Sequence, residues 1–381
     1  MDFDLKPEQQ ELQKAAIEFA RRELNDRIIE RDETRTFSQE AWKKCADFGV
    51  MRLPIPEEHG GSGAGPITTI AVMEGLGYGC RDQGLLFSIN AHLWTNSIPI
   101  LKYGTAEQKA KYLPGLCDGS LIGANGASEP AAGSDIFSMG TRAAKDGDSY
   151  ILNGSKIWVT NAPVADLFVT YATLDPKRGV MGICGFIIEK NTPGLAVSKK
   201  LDKMGLRTSP MAEIFLKDCR VPASARLGRE GFGAEVFNCS MAWERASILA
   251  TCLGTMRRQL EKSVEYARTR KQFGQTIGKF QSVANRIVDM RLRYETARLL
   301  LYKVGWLMEK GKAADMDSAM AKLYVSESFV QSCLDAVQVH GAAGYMTELE
   351  FERELRDAVG SRLYSGTSEI QRNIIARGLH L

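Results

Sequence analysis

The sequence has few of the residues that build metal and disulfide sites. Only four histidines occur in its 381 residues: His59, His92, His340 and His380. None has the spacing of a metal-ligand motif, so we expect structural or surface histidines and no metal. The eight cysteines are scattered from Cys45 to Cys333 without a C-x-x-C pair. This pattern predicts reduced, mostly buried thiols and a cytoplasmic protein.

Long apolar runs and clusters of one charge are also missing. No apolar run approaches the roughly 20 residues that span a bilayer. The N-terminal residues have neither the apolar core of a signal peptide nor the arginine-rich composition of a transit peptide. The formal net charge is +3, with both signs interspersed. We therefore expect neither a membrane nor a nucleic acid as a partner.

Glycine-rich phosphate loops are absent as well. Gly61-Ser-Gly-Ala-Gly65 and Gly231-Phe-Gly-Ala234 lack a third glycine and the strand-before, helix-after context of a dinucleotide fingerprint. No G-x-x-x-x-G-K-[ST] occurs. These absences exclude a Rossmann or P-loop nucleotide site.

What the sequence does contain indicates an α+β multidomain protein. We predict an all-α domain over residues 1–120, where Thr105-Ala-Glu-Gln108 has the pattern of a capped helix start and Pro54–Gly65 breaks two helices. Apolar residues recur there at helical intervals, at Leu5, Leu12, Ala16 and Phe19.

Residues 121–235 have the pattern of a compact β-domain. Short β-prone runs follow one another: Tyr150–Leu152, Ile157–Thr160, Leu167–Tyr171 and Phe186–Ile188. Asp146-Gly, Asn153-Gly and Pro193-Gly are expected to be turns between strands. This spacing does not fit a parallel βαβ sheet.

Helical periodicity returns in residues 236–381, which we predict to be an α-helical bundle domain. Two apolar faces carry the pattern: Leu260, Val264 and Ala267 on one, and Val283, Ile287, Met290 and Tyr294 on the other. The domain order is therefore helical, β, helical.

Several ordered motifs together resemble acyl-CoA dehydrogenases along nearly the whole chain. They are Gly126–Asp135, Lys156–Asn161, Asp202–Ser209, Arg270–Gly274, Gln338–Tyr345 and Arg362–Arg372. The resemblance implies the acyl-CoA dehydrogenase fold: an N-terminal helical domain, a central β-barrel or sandwich-like domain and a C-terminal four-helix bundle. It also implies FAD held without a Rossmann fold and a homotetramer.

The resemblance also implies which residues hold FAD. Those around the isoalloxazine and the ribityl-phosphate arm would be Asn125, Ala127, Ser128, Gly133, Ser134, Trp158 and Thr160, with Thr367 and Glu369 from the tail. A neighbouring subunit would bind the adenosine end through Arg270, Gln272, Phe273, Gln338, Gly341 and Ala342. Ala342 replaces a glycine that is frequent in the family. Taken alone, Trp158 is more typical of a core residue.

The catalytic base is the position where the sequence departs from most of the family. Many members read Tyr-Glu-Gly-Thr in the tail and use that glutamate as the base, whereas this chain has Ser365 there. A serine does not act as a base unaided at neutral pH. Glu244 and Arg245 are the only charged residues of the apolar segment Val236–Met256. A carboxylate in such a segment tends to have a raised pKa, which suits a base, although a cation on another helix would satisfy it equally well.

Resemblance to isovaleryl-CoA and long-chain acyl-CoA dehydrogenases, which carry the base on this helix, favours Glu244. It also implies that Arg245 holds the pantetheine or nucleotide portion of a thioester, beside Tyr364 and Ser365. The sequence looks most like prolyl-carrier-protein dehydrogenases and oxidases, which implies L-proline tethered through phosphopantetheine to a carrier protein. Two alternatives stay open: a short- or branched-chain acyl-CoA dehydrogenase of catabolism, and a non-catalytic relative in which Glu244 is ion-paired. The electron acceptor, oxygen or an electron-transfer flavoprotein, also stays open.

Overall fold

The computed structural model describes residues 4–381, where two sets of helices flank a central sheet. Within these residues seven helices come first: α1 (Pro7–Glu23), α2 (Ile28–Thr34), α3 (Gln39–Phe48), α4 (Pro66–Gly79), α5 (Gln83–His92), α6 (Ile98–Tyr103) and α7 (Ala106–Cys117). Along α1 the predicted apolar stripe buries Ala16 and Phe19, whereas Leu12 is 46% exposed and Leu5 precedes the helix.

The predicted helix start at Thr105 is confirmed. Thr105 Oγ1 accepts a hydrogen bond from the Gln108 backbone N–H at 3.2 Å, and Gln108 Oε1 accepts one from the Thr105 backbone N–H at 3.0 Å. This reciprocal pair satisfies N–H groups that the first turn of a helix leaves free. The predicted break over Pro54–Gly65 is also confirmed, since it lies between α3 and α4.

A π-helical turn (Leu93–Ser97) joins α5 to α6. Trp94 within it is fully buried and donates its Nε1–H to Asn90 Oδ1 at 2.6 Å. Thr95 in the same turn accepts a hydrogen bond at its carbonyl from Asn125 Nδ2 at 3.1 Å. The turn therefore connects the N-terminal helices to the first strand of the sheet.

The central sheet consists of β1 (Gly123–Gly126), β2 (Arg142–Asp146), β3 (Ser149–Thr160), β4 (Leu167–Thr173), β5 (Ile183–Glu189), β6 (Leu195–Val197), β7 (Met211–Pro222) and β8 (Arg226–Leu227). Its strand order is β6-β7-β3-β2-β4-β5-β8, and β1 pairs with β4. All pairs are antiparallel except β1–β4 and β2–β4. The predicted β-domain is thus confirmed, because a parallel βαβ sheet would pair its strands in one direction.

One predicted turn is wrong. Asn153-Gly154 lies inside β3, at a register shift against β7, and Gly154 has φ +153°. The side chain of Asn153 bonds the neighbouring strand twice: its Oδ1 accepts from the Asp218 N–H at 2.8 Å, and its Nδ2 donates to Asp218 Oδ1 at 3.2 Å. Pairing across the sheet therefore overrides the local turn preference and makes a β-bulge. The turns at Asp146-Gly147 and Pro193-Gly194 are confirmed.

The C-terminal part of the chain is helical apart from a short hairpin, β9 (Lys271–Gln272) and β10 (Gln275–Thr276). Its helices are α8 (Gly233–Ser247), α9 (Ala250–Thr269), α10 (Gln281–Glu309), α11 (Asp315–His340), α12 (Ala342–Tyr345), α13 (Phe351–Gly360) and α14 (Ser368–Gly378). Helices α8, α9, α10 and α11 pack as the predicted four-helix bundle. The predicted α+β fold is confirmed.

Two large hydrophobic cores support these layers. One joins the N-terminal helices to the bundle and buries Trp42, Trp94, Leu253, Leu301 and Phe329, among others. The other lies within the sheet and buries Tyr150, Phe168 and Phe186. Helix α8 packs against both α11 and β5, so it lies where the layers meet.

The cysteines and His92 lie in structural environments. All eight cysteines are free, and all but the half-buried Cys239 are buried. His92 Nδ1 accepts a hydrogen bond from the Gly123 N–H at 3.1 Å, and burial lowers its pKa to about 4, so this ring is neutral. Among residues 4–381, no group of three or more His, Cys, Asp and Glu side chains is arranged to hold a metal ion. Within that same range, no helix is both long and apolar enough to cross a membrane.

Candidate active site

Glu244 and Ser365 meet at the junction of α8 with the C-terminal tail. Ser365 Oγ donates a hydrogen bond of 2.7 Å to Glu244 Oε1, although the residues are 121 positions apart. The other carboxylate oxygen, Oε2, is buried and has no hydrogen-bond partner among the described residues. Burial raises the pKa of Glu244 to about 6. One oxygen is therefore held and the other is free to accept a proton.

The loop that carries Ser365 is held in a left-handed conformation. Ser365 has φ +57° and Gly366 has φ +88°. Gln371 of α14 donates its side-chain N–H to the carbonyls of Ser365 at 3.1 Å and Gly366 at 2.9 Å. Thr367 caps α14 by accepting from the Ile370 N–H at 3.4 Å. The tail motif thus fixes the serine opposite Glu244.

Tyr364, the residue before Ser365, packs against α5 and α9. Its ring lies 4.7 Å from that of Phe87, and its hydroxyl lies 3.9 Å from the Cys252 sulfur. A small cavity lies beside these residues and is also lined by Asp357. Tyr364 thus packs between α5 and α9 and directly precedes Ser365; its part in substrate binding stays a prediction.

Two cations accompany Glu244, the half-buried Arg245 and the buried Lys322. Arg245, the next residue on α8, has a buried Nε without a hydrogen-bond partner among residues 4–381. Lys322 on α11 is fully buried, and its ammonium also lacks a partner in that range. Both cations lower the pKa of Glu244, opposing the larger effect of burial. Sequence reasoning missed Lys322, although a lone lysine on an apolar helix face was a visible signal.

Aromatic side chains cover the rest of the α8 face. Trp243 stacks on Trp94 of the π-helical turn, with ring centroids 5.7 Å apart. Phe237 makes edge contacts with Tyr171 of β4 at 5.7 Å and with Phe137 at 5.8 Å. Phe237 and Glu244 are seven residues apart, so they share one helix face. These aromatic residues were also missed, and only Phe237 had a sequence signal, its spacing of seven residues from Glu244.

Part of the first set of predicted flavin residues lies around the end of β1. Asn125 lies in β1, Ala127 and Ser128 follow it, and the Ile157 N–H donates to the Ser128 carbonyl at 2.9 Å. Trp158 is 55% exposed with φ +56°, because a register shift in β3 turns it out of the core.

The glycine loop lies beside this tryptophan. A Cβ placed on Gly133 would lie 4.0 Å from Trp158 Cζ3 and closer to nothing else. Ser134 follows on an exposed segment, and Thr160 ends β3. An exposed indole, small residues and free space together fit a planar cofactor.

The loop that follows β1 is held by a buried ion pair, which the sequence did not reveal. Lys156 Nζ donates to Glu129 Oε1 at 2.7 Å and to the Ala127 carbonyl at 3.3 Å. Glu129 also accepts from the backbone N–H groups of Gly140 and Thr141. Both oxygens of Glu129 and the ammonium of Lys156 thus have hydrogen-bond partners, which indicates a structural role for this ion pair.

The remaining predicted flavin residues lie elsewhere in the chain. Gln338 lies about 24 Å from Lys322 along α11, at a rise of about 1.5 Å per residue, and Gly341 and Ala342 follow it. Arg270, Gln272 and Phe273 flank or form the hairpin, where Phe273 is 92% exposed. Glu369 is exposed in the first turn of α14. Within one chain these residues are thus spread over the hairpin, the end of α11 and the start of α14.

The sequence matches one protein family along most of its length. Residues 6–120 match the acyl-CoA dehydrogenase N-terminal domain, residues 124–219 the middle domain and residues 231–380 the C-terminal domain. The chain belongs to the acyl-CoA dehydrogenase family. The resemblance seen in the sequence motifs is thus confirmed.

Within the acyl-CoA dehydrogenase family, similar proteins act on carrier-bound proline. An L-prolyl-[peptidyl-carrier protein] dehydrogenase of a Serratia species is 45% identical over 381 residues, covering 100% of this chain and 99% of the relative. The prolyl acyl carrier protein oxidase AnaB has a TM-score of 0.98 at 52% identity, covering 99% of this chain and 100% of that chain. The structure of PigA with FAD and proline has a TM-score of 0.98 at 45% identity, covering 100% of both chains.

Proposed function

We propose that this protein is a flavin-dependent dehydrogenase of an L-prolyl thioester carried by the phosphopantetheine arm of a carrier protein. Glu244 is the base. The observation that carries this proposal is the unequal state of its two oxygens: Oε1 accepts from Ser365, whereas Oε2 is buried without a partner in the described chain. The names and high coverage of the prolyl-carrier relatives support the substrate.

The residues around Trp158 fit FAD. The exposed indole gives a flat surface, and the loop from Ala127 to Ser134 brings small side chains and backbone N–H groups beside it. Thr367 and Glu369 would approach from the tail. Six residues would bind the FAD of a neighbouring copy in a homotetramer: Arg270, Gln272, Phe273, Gln338, Gly341 and Ala342. The 92% exposure of Phe273 is consistent with this role.

The chain's own residues position and deprotonate the substrate. FAD bound there would supply the acceptor for the hydride that the substrate loses. Glu244 Oε2 accepts the proton from the carbon next to the thioester carbonyl, while Ser365 keeps Oε1 in place. The backbone N–H of Ser365 donates to the thioester oxygen, which stabilises the charge that develops there. Arg245 holds the pantetheine portion.

The state of Glu244 also separates this proposal from a non-catalytic relative. That alternative predicts an ion-paired carboxylate. Among the described residues, Glu244 accepts its hydrogen bond from a neutral hydroxyl, and neither Arg245 nor Lys322 bonds to it. A pKa of about 6 leaves the carboxylate mostly ionised at neutral pH yet basic enough to take a proton.

Anaerobic flavin bleaching tests the proposal. The purified flavoprotein is mixed with L-prolyl-loaded carrier protein, and with isovaleryl-CoA and butyryl-CoA in parallel. Bleaching by the prolyl thioester alone is expected. Bleaching by a CoA ester alone would assign the protein to acyl-CoA catabolism, and no bleaching by any thioester would contradict a dehydrogenase. Reoxidation by air, compared with reoxidation by an electron-transfer flavoprotein, identifies the acceptor.

A further inference from the structure

Lys322 is a buried charge that the proposed reaction leaves unexplained. It lies on the face of α11 that also buries Ser318, Val325 and Phe329. Its side chain is fully buried, and its ammonium has no hydrogen-bond partner among residues 4–381. An isolated buried charge is costly, and a hydrophobic side chain of similar volume would avoid that cost. The lysine therefore calls for a role other than stability.

The C-terminal tail connects Lys322 to Glu244, because Ser368 Oγ bonds Glu327, five residues beyond Lys322 on α11, and Ser365 Oγ of the same tail bonds Glu244. The charges that act on Lys322 include Glu327, Glu244 and Arg245. Glu327 accepts two hydrogen bonds at Oε1, from Ser368 Oγ at 2.6 Å and from Arg362 Nε at 2.9 Å. Glu244 is held through Oε1 by Ser365. Lys322 thus lies near the base without taking either of its oxygens.

We propose that Lys322 is a positioning residue that keeps Glu244 ionised through space while leaving its Oε2 free to accept the substrate proton. The inference rests on the assignment of Glu244 as the base. A direct bond from the ammonium, such as Lys156 makes to Glu129, would occupy the oxygen that the reaction needs. A cation held slightly apart stabilises the carboxylate without blocking it.

The surroundings of Glu244 determine the direction of the expected effect. The groups near Glu244 that stay neutral are the Ser365 hydroxyl and Tyr364, which follow α13, and Tyr171 on β4. The nearby cations are Arg245 on α8 and Lys322 on α11. Burial raises the pKa of Glu244 to about 6, and the Ser365 bond and the two cations lower it. Loss of Lys322 must therefore raise this pKa further.

The pH dependence of turnover provides the first test. Lys322→Met in the flavin-loaded enzyme is expected to move the acidic limb of kcat upward by about one pH unit, since a pKa shift of one unit is a tenfold change in ionisation. At pH 6 kcat then falls several-fold to about tenfold, at pH 8 it is near wild type, and KM changes little. Lys322→Arg keeps the charge and is expected to restore the wild-type limb.

An infrared titration of the Glu244 carboxyl gives a readout independent of turnover. The band is assigned by its loss in Glu244→Gln, and its midpoint is expected to rise in Lys322→Met and not in Lys322→Arg. The Met variant is expected to be at least as heat-stable as wild type, because an unpartnered buried charge is removed. Should it fold poorly, Lys322→Gln serves in its place.

The outcomes separate the inference from the proposed function. An unchanged midpoint and acidic limb in a folded Lys322 variant, with Glu244→Gln inactive, overturns the inference alone. Retained turnover in Glu244→Gln overturns the proposed base, and the inference with it. A shifted limb without a shifted infrared midpoint also overturns the inference, because the field of Lys322 must act on Glu244 itself.

Discussion

The sheet and the bundle each bury a lysine completely, but only one of the two is paired. Lys156 in β3 donates to Glu129 and to the Ala127 carbonyl, whereas Lys322 in α11 has no hydrogen-bond partner in the described chain. Burial lowers the pKa of both lysines to about 8. A direct bond to Glu129 opposes this effect at Lys156, whereas only through-space charges oppose it at Lys322. Glu129, whose two oxygens both accept hydrogen bonds, holds a loop in place, whereas Glu244 has one oxygen without a partner among the described residues and can accept a proton.

The largest expected effect is on the rate of flavin reduction and follows from replacing the carboxylate with the free oxygen, Glu244. Glu244→Gln keeps the shape and the bond from Ser365 but removes the base, so anaerobic flavin reduction should slow by about 10³-fold or more. The flavin content should stay near wild type because Glu244 is not among the residues around Trp158. Stopped-flow absorbance with the prolyl thioester measures the rate. A rate within tenfold of wild type would remove Glu244 from the mechanism.

The next effect concerns stability and distinguishes the two lysines directly. Lys156→Met leaves Glu129 as an uncompensated buried charge, which should cost about 3–5 kcal/mol of unfolding free energy. Lys322→Met removes a charge that has no bonded partner and should cost nothing. Thermal unfolding of both variants under one scan rate makes the comparison. Equal losses would show that Lys322 has a structural partner after all.

The sequence predicted most helices and strands because each depends on a pattern that is local in the chain, whereas the choice of Glu244 as the base depends on the family resemblance and stays a prediction. Helical periodicity, the capped start at Thr105 and the replacement of the tail glutamate by Ser365 beside an isolated Glu244 are all visible without a structure. The family motifs added the flavin residues and the substrate class.

What the sequence did not reveal depends on long-range pairing. The bond from Ser365 to Glu244 joins positions 121 residues apart, and Lys322 reaches the same place from a third helix. Asn153-Gly154 has the local preference of a turn, yet pairing with β7 keeps it in a strand. Trp158 is exposed only because a bulge in the same strand turns it outward. In each case contacts between residues distant in the chain determine the local conformation or the environment of the side chain.

A smaller effect concerns the bond that holds the free carboxylate in place. Ser365→Ala removes a hydrogen bond to an ionised group, worth about 1.5–3 kcal/mol, so kcat should fall about 10–100-fold. Because that hydroxyl lowers the pKa of Glu244, its loss should also move the acidic limb of kcat to higher pH.

A matched serine provides the control for this prediction. Ser368 bonds Glu327 in place of Glu244, so Ser368→Ala should leave the acidic limb much closer to wild type. The pH profile of kcat for both variants measures the difference. Identical shifts would indicate a general loosening of the tail and not a specific bond to the base.

The smallest effect compares two helix caps, one in the N-terminal helices and one in the C-terminal tail. Thr105 caps α7 at 3.2 Å, and Thr367 caps α14 at 3.4 Å, where the tail holds Ser365 through Gln371. Replacing either threonine by alanine should cost about 1 kcal/mol of stability. Only Thr367→Ala should also weaken flavin retention, because only that cap belongs to the proposed flavin site. Thermal unfolding of the flavin-free proteins measures the first effect, and the dissociation constant of FAD the second. If Thr105→Ala released flavin as readily, the tail would have no special part in holding the cofactor, and flavin retention would depend on overall stability alone.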